Sequence, residues 1–312
     1  MGFYELKLAA KRMLPRPIAD SCRYLWHSLR YAALRRINRK YTELRMGGGD
    51  IAYIEGVEIE TVNRCNGTCP FCPVNATQPQ REYARMTDEL FRKIIDDLAD
   101  INYQNTISLY SNNEPFLDER IIDFHRYANE KLPRASFLLY TNGSLLTFDK
   151  FTEIMPFLDL LIIDNYNDKK EINTPELKRI YDFIQENDEI GGRVIFDFRL
   201  LNEVFTSRGG QAPNKKGKND KRTVNIVCPL PFRQLIIRPT GKVSLCCNDA
   251  LGRYTLGDLN TQTIAEVWAS PEYQRIRGEM LRNGRKNLML CRDCDSVFGP
   301  GEVTTRKRPR KD

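Results

Sequence analysis

The 312-residue chain is poor in histidine, with only His27 and His125, and it has no run approaching the ~18 apolar residues that a membrane-spanning helix needs. The first scarcity argues against a metal centre built on imidazole, and the second against a helical integral membrane protein. An export signal is also missing. "LKLAAKRMLPRP" (6–17) is broken by Lys11, Arg12 and two prolines before an apolar stretch develops, so the cytoplasm is the expected address. Over most of its length the chain lacks an excess of either charge. Residues 1–50 carry 11 Lys/Arg against 4 Asp/Glu, which equals the whole net charge of +7, and the rest balances. The small basic tail "RKRPRKD" (306–312) is offset elsewhere in that remainder. The body is therefore not a basic nucleic-acid surface, and no nucleic-acid partner is expected. No internal repeat or low-complexity block occurs.

What is present is cysteine. Nine is an odd number for a disulfide framework, and in a reducing compartment clustered thiols read as metal ligands. The length suits one large domain with an appendage. "YLWHSLRYAALRRINRKY" (24–41) interleaves apolar and basic residues at near-helical spacing. It is either a solvated helix packed on the body or one that lies on an anionic membrane or an acidic partner. After "GGGD" (47–50), strand-like segments (57–62, 106–111, 135–141, 158–164, 192–198) alternate with helix-like ones (87–100 with Thr87 as N-cap, 118–131, 175–187). This rhythm predicts a parallel sheet, open or curled into a barrel. The apolar-poor stretch 207–223 reads as a linker or flap. Beyond it come a hairpin (233–239 and 242–247, turning at Thr240-Gly241) and a helix over 263–284 interrupted at Pro271. The expected units are a basic helical extension (1–50), the α/β body (51–206), the linker, a small C-terminal unit (224–298) and a basic tail (299–312).

"NRCNGTCPFCPV" (63–74) sets Cys65, Cys69 and Cys72 at C-x3-C-x2-C, just past the first strand, where parallel α/β folds place their chemistry. Three thiolates are one too few for a closed tetrahedral site. They can hold three irons of a [4Fe–4S] cube and leave the fourth open to a small molecule. With Phe71 before the last cysteine, the motif resembles the signature of the radical S-adenosylmethionine superfamily. The resemblance implies a partial (β/α) barrel of parallel strands. It further implies that S-adenosylmethionine binds the open iron and is split to methionine and a 5′-deoxyadenosyl radical that abstracts a substrate hydrogen. A low-potential electron donor such as flavodoxin or ferredoxin would serve it. "SLYSNNEPFLDE" (108–119) is similar to the superfamily's GGE element, with Asn112, Asn113 and Glu114 in the matching places and Glu114 expected at the methionine amino group. Asparagine replaces both glycines, and it tolerates positive φ better than most residues. "LLYTNGS" (138–144) resembles the third-strand end of that superfamily. By the same resemblance Asp164 and Asn165 are expected near a ribose, and Arg199 and Arg208 near the methionine carboxylate or the substrate.

Cys228, Gly241 and Cys246 at C-x12-G-x4-C, followed by Cys291 and Cys294 at C-x2-C, resemble the SPASM/Twitch appendage of the same superfamily. With no cysteine beyond Cys294, the shorter Twitch form with one auxiliary [4Fe–4S] cluster is expected. Four thiolates ending in C-x2-C also suit zinc, which keeps a non-enzymatic metal-binding module as an alternative. Cys247 points opposite to Cys246 in an extended strand. The leading expectation is a dehydrogenase that oxidises a hydroxyl-bearing carbon of a sugar or aminocyclitol, with the auxiliary cluster accepting the electron. The alternatives are an epimerase of a sugar or peptide, with Cys247 returning a hydrogen atom, and a peptide-modifying maturase. Cys22 has no assigned role.

Overall fold

The computed structural model describes residues 16–46, 50–78, 81–201, 206–212 and 225–299, with side chains of the first helix from residue 29 onward. Residues 1–15, the Cys22 side chain, linker residues 213–223 and the tail from 300 lie outside the described residues. Helix α1 (Arg16–Met46) leads into five parallel strands: β1 (Gly56–Ile59), β2 (Thr106–Ser108), β3 (Ser136–Thr141), β4 (Leu160–Tyr166) and β5 (Val194–Arg199). Each pairs with its predecessor, giving the spatial order 5-4-3-2-1. A sheet wound in one direction by right-handed crossovers puts its helices on one face, the geometry of a partial barrel. Those helices are α2 (Pro73–Thr77), α3 (Asp88–Asp100), α4 (Ile121–Lys131), α5 (Phe148–Ile154), α6 (Pro175–Glu186) and the short α7 (Asp188–Gly191).

Local chemistry explains these elements. Thr87, Thr147 and Thr174 each accept the third helical amide of α3, α5 and α6. Phe91, Ile94, Ile95 and Leu98 recur at helical spacing and are buried. Strand alternation sends Phe137 and Leu139 into the helix-packed core, while Leu138, Leu160, Ile162 and Tyr140 cluster on the opposite, concave face. The concave face at the carboxyl edge of the strands is where the site forms.

The C-terminal region extends this sheet. β6 (Gln234–Ile237) runs parallel to β1, and β7 (Lys242–Ser244) and β8 (Thr255–Asp258) follow antiparallel, which makes an eight-stranded sheet. Gly241 turns the hairpin at φ +80°, a conformation open to glycine. The expected 263–284 helix is two: α8 (Ile264–Trp268), held by a Thr263/Glu266 capping box, and α9 (Pro271–Asn283), which starts on the proline that interrupts it. Helix α1 is longer than the 24–41 pattern suggested and is pinned to the body. Asn38 Nδ2 donates to the carbonyls of Val227 (3.0 Å) and Phe298 (2.8 Å).

Candidate active site

The chain leaves β1 at its carboxyl end and folds back through the three cysteines before Cys72 caps α2. The Cys72 amide donates to the Cys69 carbonyl (3.1 Å) and the Gly67 amide to Cys65 Sγ (3.3 Å). A Cβ on Gly67 would lie 3.3 Å from Cys65 Sγ and 3.7 Å from Cys69 Sγ, so glycine keeps the space between the two sulfurs open. Burial pushes the Cys65 thiol up to about 12, with Glu114, Cys72 and Cys69 adding to it. Burial, then Cys72, pushes Cys69 up to about 11. Cys65, Cys69 and Cys72 offer three sulfur donors on one loop, the donor set that suits a cluster with one open iron.

The neighbouring strand ends close around this loop. Glu114, 1% exposed, accepts from Thr141 Oγ1 (2.7 Å) and the amides of Asn142 (2.8 Å) and Phe116 (3.2 Å). Burial still pushes its carboxyl up to about 7. Asn112 receives Arg208 at its side-chain oxygen, donates from Nδ2 to the Cys247 carbonyl (3.1 Å) and donates from its backbone amide to Glu60 (2.7 Å). Asn113 accepts from the Ser111 amide (3.2 Å), while its Nδ2 is buried without a protein acceptor among the described residues. The Phe71 ring lies 5.4 Å from that of Tyr166 at the end of β4. Asp164, on the same face, is 3.9 Å from Arg199, which also pairs with Asp197 (3.0 Å). Asn165 is turned the other way, with its amide engaged by Glu171 and Asn173 (2.8 and 3.0 Å) to hold the loop after β4. The candidate residues from Phe71 to Arg199 lie at the carboxyl ends of the parallel strands or in the loops that follow them, and Asn165 is turned toward the loop after β4.

The second set converges as well. Cys228, Cys246, Cys291 and Cys294, all buried, line one small cavity together with Leu230, Leu245, Leu290 and Arg285. Burial pushes the Cys246 and Cys291 thiols well above the usual range, and the neighbouring cysteines add to it. Among the described residues no three Cys, His, Asp or Glu side chains stand close enough to share a single ion. Four cysteines around one cavity are a donor set that suits a [4Fe–4S] cluster as well as zinc.

Residues 59–190 match the Radical SAM superfamily, and residues 228–295 match SPASM, an iron–sulfur cluster-binding domain. The chain belongs to the radical SAM superfamily. Its cofactors are accordingly a [4Fe–4S] cluster with S-adenosylmethionine, and auxiliary iron–sulfur chemistry in the SPASM region. One relative, the S-adenosyl-L-methionine-dependent 2-deoxy-scyllo-inosamine dehydrogenase of Niallia circulans, is 25% identical over 244 residues, which span 77% of this chain and 92% of the relative. The crystal structure of BtrN in complex with AdoMet and 2-DOIA has a TM-score of 0.67 at 22% identity, covering 79% of this chain and 94% of that one. Native anSMEcpe with bound AdoMet has a TM-score of 0.50 at 13% identity, over 78% and 92%. The structural likenesses establish the fold.

This radical SAM chain also carries cleft residues that motif reading missed. Alternation along β1 turns Glu58 and Glu60 away from the helix-packed core. Glu60 is fully buried and pairs with Arg238 (3.0 Å). Glu58 accepts from Gln234 Nε2, and burial, with Glu60 adding, pushes it up to about 7. Burial and Glu58 push the Cys247 thiol up to about 12, so it stays protonated beside that carboxyl. Arg208 donates to the Cys247 carbonyl (3.0 Å) and to Asn112, tying the start of the expected flap to the cleft. Ser207 and Gln211 clasp Asp293, Asp295, Asp249 and Leu251 around the second cysteine set. One signal for the β1 pair was present in the sequence. Carboxylates at alternate positions of "VEIE" (57–60), in a strand flanked by parallel partners, mark a polar concave face.

Proposed function

We propose that this radical SAM enzyme is a dehydrogenase acting on a hydroxyl-bearing carbon of an aminocyclitol, sugar or similar small polyol. The observation that carries this reading is the position of two adjacent residues. Cys246 lines the four-thiol cavity, and the carbonyl of the next residue, Cys247, accepts from Asn112 and Arg208 in the cleft, so a single peptide link separates the auxiliary centre from the substrate space. The named activity of the Niallia circulans relative supports the same class. When bound, the three-thiol cluster with S-adenosylmethionine supplies a 5′-deoxyadenosyl radical for hydrogen abstraction, and the auxiliary cluster supplies an acceptor for the electron released as a hydroxyl becomes a carbonyl. The chain's own residues bind and orient. Glu58, at about 7, holds a substrate hydroxyl and takes its proton at a carboxylate oxygen. Arg208 fixes the roof of the cleft through Asn112 and the Cys247 carbonyl. Phe71, Asn112, Asn113, Glu114, Asp164 and Arg199 form the cosubstrate side, with Asn113 Nδ2 available as a donor. Asn165 acts by holding the loop after β4.

The test is anaerobic turnover with S-adenosylmethionine and a panel of aminocyclitols that includes 2-deoxy-scyllo-inosamine. A ketone formed in step with 5′-deoxyadenosine is expected, and 5′-deoxyadenosine without any carbonyl product contradicts the reading. The protonated thiol of Cys247 beside Glu58 favours one second reading, epimerisation with Cys247 as hydrogen-atom donor. Cys247→Ala separates the two. An epimerase loses product while still forming 5′-deoxyadenosine, whereas a dehydrogenase keeps its ketone yield.

A cytoplasmic setting with a flavodoxin- or ferredoxin-type donor follows from the oxygen-sensitive chemistry of an open iron site. Peripheral membrane contact is supported by the outward stripe of α1. Leu29, Ile37 and Leu44 are 62, 51 and 66% exposed there, at helical spacing with Arg30, Arg36 and Lys40, and the net positive charge of the chain resides in residues 1–50. No helix among the described residues is long and apolar enough to cross a membrane. Flotation with phosphatidylglycerol-containing vesicles, lost in a Leu29→Glu/Ile37→Glu/Leu44→Glu variant and absent with neutral vesicles, is the expected result. Equal flotation of the variant contradicts it.

A further inference from the structure

Arg285 follows α9 and carries a guanidinium that is 2% exposed. Nη1 donates to the Cys294 carbonyl (2.9 Å), and the backbone amide is held by Asn225 (2.9 Å). Its Nε and Nη2 are buried without an oxygen or nitrogen acceptor among the described residues, and the guanidinium lies within hydrogen-bonding reach of the Cys228 side chain. Among the other buried arginines, Arg238 pairs with Glu60 and Arg233 with Glu55 (3.0 and 3.6 Å), and Arg277 stacks on Trp268 and Tyr273 while donating to the Pro231 and Trp268 carbonyls. No carboxylate or ring is paired with Arg285 among the described residues. It lines the cavity shared by Cys228, Cys246, Cys291 and Cys294.

A buried cation without a counter-ion is costly, and that cost falls where negative charge arrives beside it. Four thiolates around a [4Fe–4S] core carry a net negative charge, and positive charge or N–H donors at the sulfurs raise the reduction potential of such a centre. We propose that Arg285 is the counter-charge and sulfur hydrogen-bond donor of the auxiliary cluster, and that it raises the cluster's potential so that the cluster accepts the substrate's electron. This rests on the reading that the four cysteines hold that cluster. The guanidinium already lines the cavity that the four cysteines share.

The test uses the full chain with Cys65, Cys69 and Cys72 each changed to Ala, so that the auxiliary cluster is the only one present. Its midpoint potential is read by spectroscopically monitored redox titration, with Arg285, Arg285→Lys and Arg285→Gln compared at known iron content. The expected midpoints fall in the order Arg, Lys, Gln. Where the Gln variant loses iron, retention by the Lys variant supports the counter-charge role directly. An unchanged midpoint in a loaded Gln variant overturns the proposal, as does equal iron loss from the Lys and Gln variants. Absence of iron from the Arg285 parent overturns the four-cysteine cluster itself, an outcome distinct from the other two.

Discussion

Glu58 sits where a small change in protonation alters both chemistry and stability. Its carboxyl is pushed up to about 7 by burial, so the proton-accepting form is populated above that pH. Turnover should fall as pH drops below about 7, and Glu58→Gln should lower kcat/KM on the order of 100-fold and remove that acidic limb. Stability should respond in the opposite sense. A carboxyl whose folded pKa lies above its unfolded value favours the fold while neutral, and that contribution is lost as pH rises through about 7. Glu58→Gln is therefore expected to melt higher than the parent at pH 8 and close to it at pH 4, as read by calorimetry. Among single residues, the seven cysteines proposed as cluster ligands stood out because chelation imposes strict spacing. Arg285 did not, because its partners are brought to it from three separate segments by the fold.

His125 of α4 gives the element scale its measurable property. It is fully buried, with Nδ1 2.8 Å from the Ile121 carbonyl, and burial lowers its pKa from 6.5 to about 4. The neutral ring is the folded form, so the unfolded chain takes up a proton first as pH falls. Stability should decline between pH 6.5 and pH 4 by at most about 3 kcal/mol, then level off. His125→Phe should flatten this window in denaturant titrations, and an unaltered pH dependence would count against the assignment. Helix α3 was legible because a cap and a 3.6-residue period agree locally. β2 proved shorter than the 106–111 expectation because residues 111–114 leave the ladder to bind Glu60, Cys247 and the end of β3. The short elements α2, α5 and β8 gave too few periodic positions to be read.

At the scale of the whole molecule, the arrangement depends on β6 running beside β1, a pairing between segments 178 residues apart. It joins the strand that leads to the three-thiol loop to the hairpin that leads to Cys246. No local pattern announces that pairing. The sequence motifs singled out two cysteine sets, while the meeting of Cys247, Arg208 and Asn112 became visible only in the folded chain. The account is tested most directly by iron, sulfide and zinc analysis of anaerobically reconstituted protein beside two variants, one with residues 65, 69 and 72 changed to Ala and one with residues 228, 246, 291 and 294 changed to Ala. About eight irons per chain in the parent and about four in each variant are predicted, with the S-adenosylmethionine-induced spectral change surviving only where the first set is intact. Stoichiometric zinc in place of iron, or one variant that loses all iron while the other loses none, would contradict it.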